Sequence, residues 1–296
     1  MVAASYRDLL KLGRHILTGP DPGDAPVLLC AALQCSRSEM YLLLDSRPKP
    51  DIEKKYMEMV DRRSNNEPLQ YIIGSWGFMS LDFVVNRGVL IPRQDTEAMV
   101  EHLIDVVNQK FGEKHRLGAL KILDLCTGSG CVAVSLAHYL EKASVIGVDF
   151  SVAAASTAKR NAALNRVDGR VAIAECDIFS DAMLNKLADD IGAVDILCSN
   201  PPYIPTSQIK ALMPEVRCHE PEIALDGGED GLSFYRRFSD CVVPRFVRDG
   251  GFAAFEVGIG QAECVMRMFE AKLPMSRIYA VKDSSGIDRV VCVECA

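Results

Sequence analysis

A chain of 296 residues, 49% hydrophobic and 25% charged, is globular rather than disordered and long enough for one large domain or two smaller ones. The net charge of −7 is uneven: residues 1–90 carry 11 basic and 11 acidic side chains, which leaves 22 basic against 29 acidic in the remainder, so neither half offers in bulk the basic face of a duplex-binding enzyme. The longest early apolar run, 27–33, is too short to span a membrane, the start has no signal-peptide pattern, and eleven scattered cysteines favour a reducing cytoplasm over a disulfide framework.

Residues 1 to about 70 read as helices. Tyr6, Leu9, Leu10, Leu12, Gly13 and Ile16 trace an apolar face at helical spacing, ended by Gly19-Pro20. Short helical pieces follow at 25–33 and 39–44, with Pro48 and Pro50 breaking the chain. The clearest amphipathic helix is 52–63, with Ile52, Tyr56, Met59 and Val60 on one side and charges on the other. This stretch holds no glycine loop, ligand cluster or paired carboxylates, so it suits a recognition module or a stabilising cap. Strand-like alternation around a turn near Ser80 makes 76–90 a hairpin joining two domains. A polar segment then enters an amphipathic helix from about 95 to 110, whose early acids suit a helix N-terminus. That loop is a candidate face of a ligand cleft.

From Leu120 the pattern becomes strand, helix, strand. Strands are predicted at 121–126, 144–149, 171–176, 194–200 and 251–257, with helices at 131–141 and 151–165 and near 181–190 and 232–247. A helix at 260–273 precedes two last strands, 277–282 and 289–295. The turn Ser284-Ser285-Gly286 is too short for a crossover helix, so those two strands must pair antiparallel, while the rest requires a parallel sheet covered on both faces. Cys292 and Cys295 form a C-x-x-C without a second pair, in a strand where residues three apart point to opposite faces; a metal or redox site is not expected there.

Two loops at strand ends carry the chemistry. After the first strand, Gly128-Ser129-Gly130-Cys131-Val132-Ala133 fits G-x-G-x-x-A, and Asp149 ends the second strand about twenty residues on. Glycines permit close backbone approach to a ligand, and an acid after the second strand accepts hydrogen bonds from ribose hydroxyls. An NAD-dependent oxidoreductase shares this fingerprint. Asp124 tilts the choice to S-adenosylmethionine, because an acid there meets a cationic amino acid moiety and would repel a pyrophosphate. Asp177, just after the third strand, is positioned for an adenine amino group. After the fourth strand comes Ser199-Asn200-Pro201-Pro202-Tyr203, whose prolines end the strand. Asn200 is thereby left at a carboxyl strand end, where open α/β sheets place their ligands. The Asn200 side chain and the Pro201 carbonyl accept hydrogen bonds and Tyr203 offers an aromatic face, an arrangement suited to a planar substrate bearing an NH2 group.

Five segments together carry a family resemblance: Glu67-Pro68-Leu69-Gln70-Tyr71-Ile72-Ile73-Gly74, Leu90-Ile91-Pro92-Arg93-Gln94-Asp95-Thr96-Glu97, DLCTGSG from Asp124, NPPYIP from Asn200, and Glu220-Pro221-Glu222-Ile223-Ala224-Leu225-Asp226-Gly227-Gly228. Over nearly its whole length the chain resembles the HemK-type N5-glutamine methyltransferases that modify peptide chain release factors. NPPY alone is shared with adenine-N6 DNA methyltransferases and other amino-group methylases; the helical start and the IPRQDTE and EPEIALDGG segments are more specific. The resemblance implies an α/β fold, a Rossmann-like class I S-adenosylmethionine-dependent methyltransferase sheet with an antiparallel final strand. It also implies a helical substrate-recognition domain at 1–75, a hairpin linker at 76–90 and the methyltransferase domain at 91–296. The implied reaction carries a methyl group from S-adenosyl-L-methionine, leaving S-adenosyl-L-homocysteine, to the side-chain amide nitrogen of the glutamine in the Gly-Gly-Gln motif of class 1 release factors. Amino-group methylation of nucleic acid, at adenine N6, or of another protein is the alternative. A cytoplasmic enzyme without a metal, a membrane or direct nucleic acid is expected.

Residue by residue, the resemblance puts the cofactor's methionine and ribose portions against Cys126, Thr127, Gly128, Ser129 and Gly130, its ribose on Asp149 and its adenine on Asp177 and Ile178, with Asn200 bordering it. Asn200, Pro201, Pro202 and Tyr203 would hold the glutamine amide, with Asn200, Pro201 and Tyr203 in the catalytic roles. Cys126 stands where the family usually has glycine, Gln94 where proline is common and His219 where tyrosine is frequent. The amide nitrogen is a poor nucleophile, so hydrogen bonds that hold it toward the methyl group and favour charge on nitrogen would act by positioning and electrostatics. No histidine or cysteine sits in the motif, so covalent catalysis is not indicated.

Overall fold

The computed structural model describes residues 3–19 and 21–296. Pro20, expected to help end the first helix, lies outside the described residues. Contacts divide the chain into two compact units: the residues up to Ser75 together with Met213–His219, and Trp76–Leu212 together with Glu220–Ala296.

In the first unit, helices Tyr6–Ile16, Asp24–Leu33, Arg37–Leu43, Pro50–Ser64 and Leu69–Ile73 surround a core that includes Leu9, Leu28, Met40, Tyr56 and Val60. Local sequence sets their starts. Ser5 accepts from the Asp8 amide, and Ser36 with Glu39 forms a reciprocal capping box. Pro50 begins its helix instead of breaking the chain, because a first-turn N–H has no intrahelical acceptor to lose. The first helix buries a narrower stripe than its periodicity suggests: Leu12 is 43% and Ile16 36% exposed. Gly13 is buried against Tyr56, where an added Cβ would lie 1.9 Å from the phenol oxygen.

The second unit opens with the hairpin β1 (Ser75–Phe78) and β2 (Leu81–Val84), so the unit boundary falls inside β1. Met79 and Ser80 both have positive φ, 48° and 57°, as a two-residue hairpin turn matched to strand twist requires. Asn161 fastens β2, accepting from the Val84 amide at 2.7 Å and donating to its carbonyl at 3.0 Å.

The main sheet comprises β3 (Lys121–Leu125), β4 (Ser144–Asp149), β5 (Val171–Glu175), β6 (Val194–Ser199), β7 (Val247–Glu256), β8 (Arg277–Lys282) and β9 (Asp288–Glu294), in the order β5-β4-β3-β6-β7-β9-β8. β9 alone runs antiparallel to its neighbours β7 and β8, as the short 284–286 turn demands for its pairing with β8. β7 starts at Val247, earlier than predicted, at the cost of a register shift against β6. The predicted 232–247 helix is interrupted, with Ser233–Arg237 and Val243–Phe246 as its α-helical ends.

Both faces of the sheet are covered. Ile122, Ile196 and Cys292 belong to one core layer, while Leu123, Leu197 and Val291 belong to the other, the period-two alternation of strands buried on both sides. Cys295 packs against the layer opposite Cys292. β3 lies between β4 and β6, so chain connections leave it in opposite directions, and the carboxyl ends of these strands open a crevice. No described helix is long and apolar enough to cross a membrane.

Candidate active site

The crevice is a cavity of ≈ 330 Å³. Its walls come from the carboxyl ends of β3, β4, β5 and β6 and from two loops, around 88–96 and 221–224. Of the residues expected to hold a cofactor, Cys126, Thr127, Gly128, Ser129, Asp149, Asp177, Ile178 and Asn200 all line it. Gly130 stands behind the wall at a φ of 80°, where an added Cβ would lie 3.0 Å from Ala158 Cβ. Only glycine supplies both that conformation and that close helix approach.

Three acids at neighbouring strand ends have different surroundings. Asp149 accepts from the Gly128 amide at 2.8 Å and the Ser151 amide at 2.9 Å, which aims the carboxylate across the glycine turn; burial still pushes its pKa up. Asp177 accepts from the Phe179 amide at 2.9 Å. Asp124 is 1% exposed and accepts from the Thr127 hydroxyl at 2.6 Å. Burial pushes it up to about 7, against the opposing pull of the Thr127, Ala133 and Cys198 hydrogen bonds. A cation set against Asp124 would restore its ionised form. The wall thus combines a buried acid, a second acid held on a glycine turn, and apolar side chains that include Ile178 and Phe150. That donor and acceptor set fits an amino-acid-bearing nucleoside.

The segment after β6 is half at the wall. Asn200 and Pro202 line the cavity, whereas Pro201 is buried and Tyr203 is set back, its ring packed against the core. The expected aromatic platform is therefore not on the cavity wall. The Tyr203 hydroxyl is pushed up to about 12, chiefly by burial, and its carbonyl accepts from Gln261 Nε2 at 2.9 Å. Asn200 Nδ2 donates to Thr96 Oγ1 at 3.1 Å, which leaves the carboxamide oxygen as the acceptor.

Two further segments brace this loop. The Ile204 amide donates to the Leu225 carbonyl and the Gly227 amide to the Ile204 carbonyl, at 3.0 and 2.8 Å. A Cβ on Gly227 would fall 2.8 Å from Tyr203 Cα, so glycine is required by close approach. Glu220, whose side chain is 1% exposed, accepts from the Ile91 amide at 3.3 Å and from Arg93 at 2.5 Å, joining the loop before the first helix of this unit to the 220–228 segment.

Reasoning from the residues alone did not single out Thr96, Arg93, Glu220 or Glu256. The first three lie within the IPRQDTE and EPEIALDGG segments, which marked the resemblance without assigning roles. Glu256 was findable by the rule that drew attention to Asp149: it is an acid at the carboxyl end of a parallel strand.

Residues 8–74 match the sequence profile of the PrmC N-terminal domain, and residues 118–222 match a methyltransferase domain. The chain is 42% identical over 264 residues to the release factor glutamine methyltransferase of Geobacter sulfurreducens, an alignment covering 89% of this chain and 86% of that protein. It is 33% identical over 276 residues to the protein of the same name from Bacillus cereus, covering 93% of each. Among solved structures, the N-terminal domain of human METTL16 in complex with SAH matches with a TM-score of 0.51 at 14% identity, covering 73% of this chain and 76% of that one; this is a likeness of fold alone.

Proposed function

The chain belongs to the release factor glutamine methyltransferase family, and we propose that it uses S-adenosyl-L-methionine to methylate the side-chain amide nitrogen of the Gly-Gly-Gln glutamine in class 1 release factors. The observation that carries this reading is Asn200. It borders the cavity with its NH2 engaged by Thr96, so its oxygen is the acceptor available to a substrate NH2. Asp124 would hold the cofactor's ammonium group, Asp149 its ribose hydroxyls, and Asp177 with Ile178 its adenine, while the turn from Cys126 to Gly130 would follow its length. When bound, the cofactor supplies an electrophilic sulfonium methyl group.

Asn200 Oδ1 and the Pro201 carbonyl accept the two hydrogens of the glutamine NH2. These hydrogen bonds hold the nitrogen toward the methyl group and stabilise the positive charge that grows on it. Methyl transfer to that nitrogen would leave S-adenosyl-L-homocysteine, and the proton lost from nitrogen would pass to water. Pro202 stiffens the loop, and Tyr203 holds it through its packing and its carbonyl. The residues up to 75 are the recognition module for the release factor, and the protein acts in the cytoplasm on a protein substrate without direct nucleic-acid contact.

The test incubates the protein with S-adenosyl-L-methionine and, separately, a release factor, DNA and RNA, then locates added methyl groups by mass spectrometry. Modification is expected on the release factor glutamine and is lost when that glutamine is replaced by glutamate. Asn200→Ala is expected to lower the rate roughly 10²–10³-fold while cofactor binding persists, as for loss of one preorganised hydrogen bond. Methyl groups on nucleic acid alone, or wild-type turnover by Asn200→Ala, would refute the assignment.

A further inference from the structure

Glu256 ends β7 and is 1% exposed, yet no step above employs it. Ser199 of β6 pairs with Phe255 of β7, so Asn200 and Glu256 are the next residues along at the ends of adjacent parallel strands. Thr96 and Asn200, whose side chains are joined at 3.1 Å, both act on the Glu256 carboxyl as hydrogen-bonding neighbours that favour its ionised form. Its Oε2 is buried without a hydrogen-bond partner among the described residues. An unsatisfied carboxylate oxygen in a protein interior is costly and calls for a reason. The strand end is fixed: Tyr235 donates its hydroxyl to the Glu256 carbonyl at 2.7 Å.

We propose that Glu256 is a positioning residue for methyl transfer: as a carboxylate it holds the Thr96 hydroxyl and the Asn200 NH2 as donors toward itself, and so turns Asn200 Oδ1 to the substrate. The inference rests on the reading of Asn200 as the amide clamp. An ionised carboxylate only accepts, so the hydrogens of its neighbours must point to it. A protonated carboxyl donates. It would let Thr96 turn its hydrogen toward Asn200 and let the amide reverse, and a reversed Asn200 would present NH2 to the substrate's NH2.

The carboxyl has few compensating charges. Arg289 on β9 acts to keep it ionised but is shared with Asp283 at 3.2 Å and Asp95 at 3.0 Å, and Asp95 acts the other way. Tyr203, Tyr235 and Cys131 are the other ionisable groups that feel its charge, each with a pKa raised chiefly by burial. Burial dominates and lifts Glu256 to about 7, so the working carboxylate is present above that pH and lost as pH falls through it.

The experiment measures kcat across the neutral range with cofactor and release factor both saturating, so that Asp124, paired with the bound cofactor, no longer titrates. Wild-type kcat is expected to fall about tenfold per pH unit below the Glu256 midpoint. Glu256→Gln should flatten that acid limb and lower the plateau roughly tenfold, with cofactor Kd and release-factor KM little changed. Thr96→Val keeps the titrating carboxyl but removes one donor to it, so it should lower the plateau and move the acid limb to higher pH, and Thr96→Ser should recover much of the kcat lost in Thr96→Val; the Thr96 pair carries the test if Glu256→Gln does not fold. An acid limb with the wild-type midpoint in Glu256→Gln or Thr96→Val, or wild-type kcat in either, would overturn the proposal. An inactive Asn200→Ala alongside an unaltered limb in Glu256→Gln would refute the role of Glu256 alone, whereas a fully active Asn200→Ala would refute the amide clamp itself.

Discussion

Asp124 shows how little a residue's type says about its state. It and Asp149 lie at the carboxyl ends of adjacent parallel strands, but Asp149 is fed by two backbone amides at 2.8 and 2.9 Å, whereas Asp124 has the Thr127 hydroxyl at 2.6 Å, the Cys198 thiol at 3.8 Å and almost no solvent. Its carboxyl is pushed up to about 7 by burial, so under the proposed pairing a proton would compete with the cofactor's ammonium group for the site below neutrality. The sign follows: S-adenosylmethionine affinity should plateau above about pH 7 and weaken by up to about tenfold per unit as pH falls below it, with net proton release on binding. Calorimetry in buffers of different ionisation enthalpy reads both quantities; a pH-independent Kd with no proton released would refute the pairing. Cys126 makes the complementary point. Its φ of 56° lies in the left-handed region, where a Cβ costs roughly 1–2 kcal/mol, which explains why glycine is usual there. Burial raises its thiol pKa, so at neutral pH the sulfur is a protonated wall group and not a nucleophile.

At the scale of elements, the cavity is closed by loops and not by the sheet. Leu90, Pro92, Pro221 and Ile223 line it, and the Arg93–Glu220 pair joins the loops they come from. Glu220 is almost wholly buried, so removing its partner strands a charge, but the Arg93 side chain is 37% exposed and water moderates the penalty. Arg93→Ala should therefore cost about 1–3 kcal/mol by urea denaturation and weaken cofactor binding. In a double-mutant cycle with Glu220→Ala, a coupling of about 1 kcal/mol or more is expected. Strictly additive losses would mean that the pair does not hold the loops together.

At the scale of the molecule, each unit has its own core: Tyr6 to Ile72 supply one, and residues from Phe78 to Val293 supply the two layers on the sheet. A chain beginning at Trp76 should fold and bind S-adenosylmethionine with near-wild-type affinity, while its kcat/KM on an intact release factor falls at least roughly tenfold through lost substrate binding. Unchanged kcat/KM in that folded truncation would reduce the helical unit to a cap. The truncation also removes Arg63, which pairs with Glu215 at 2.9 Å, so slower proteolysis of 213–219 than in the full chain would contradict the grouping of that segment with the helices.

The sequence by itself determined whatever depends on neighbours a few residues apart. Helices and strands followed from periodicity, the hairpin from its turn, the antiparallel β8–β9 pairing from a connection too short to cross over, and the glycine turn and NPPY from residues whose backbone needs are local. Only the tertiary structure decided that β9, and not β8, adjoins β7, and that 213–219 joins the helical unit. It alone set the Tyr203 ring back from the wall and brought Glu256 beside Asn200. The physical reason is separation along the chain. Ile91 meets Glu220 across 129 positions and Asn200 meets Thr96 across 104, and such contacts arise from how sheet edges and loops pack, which no local pattern records.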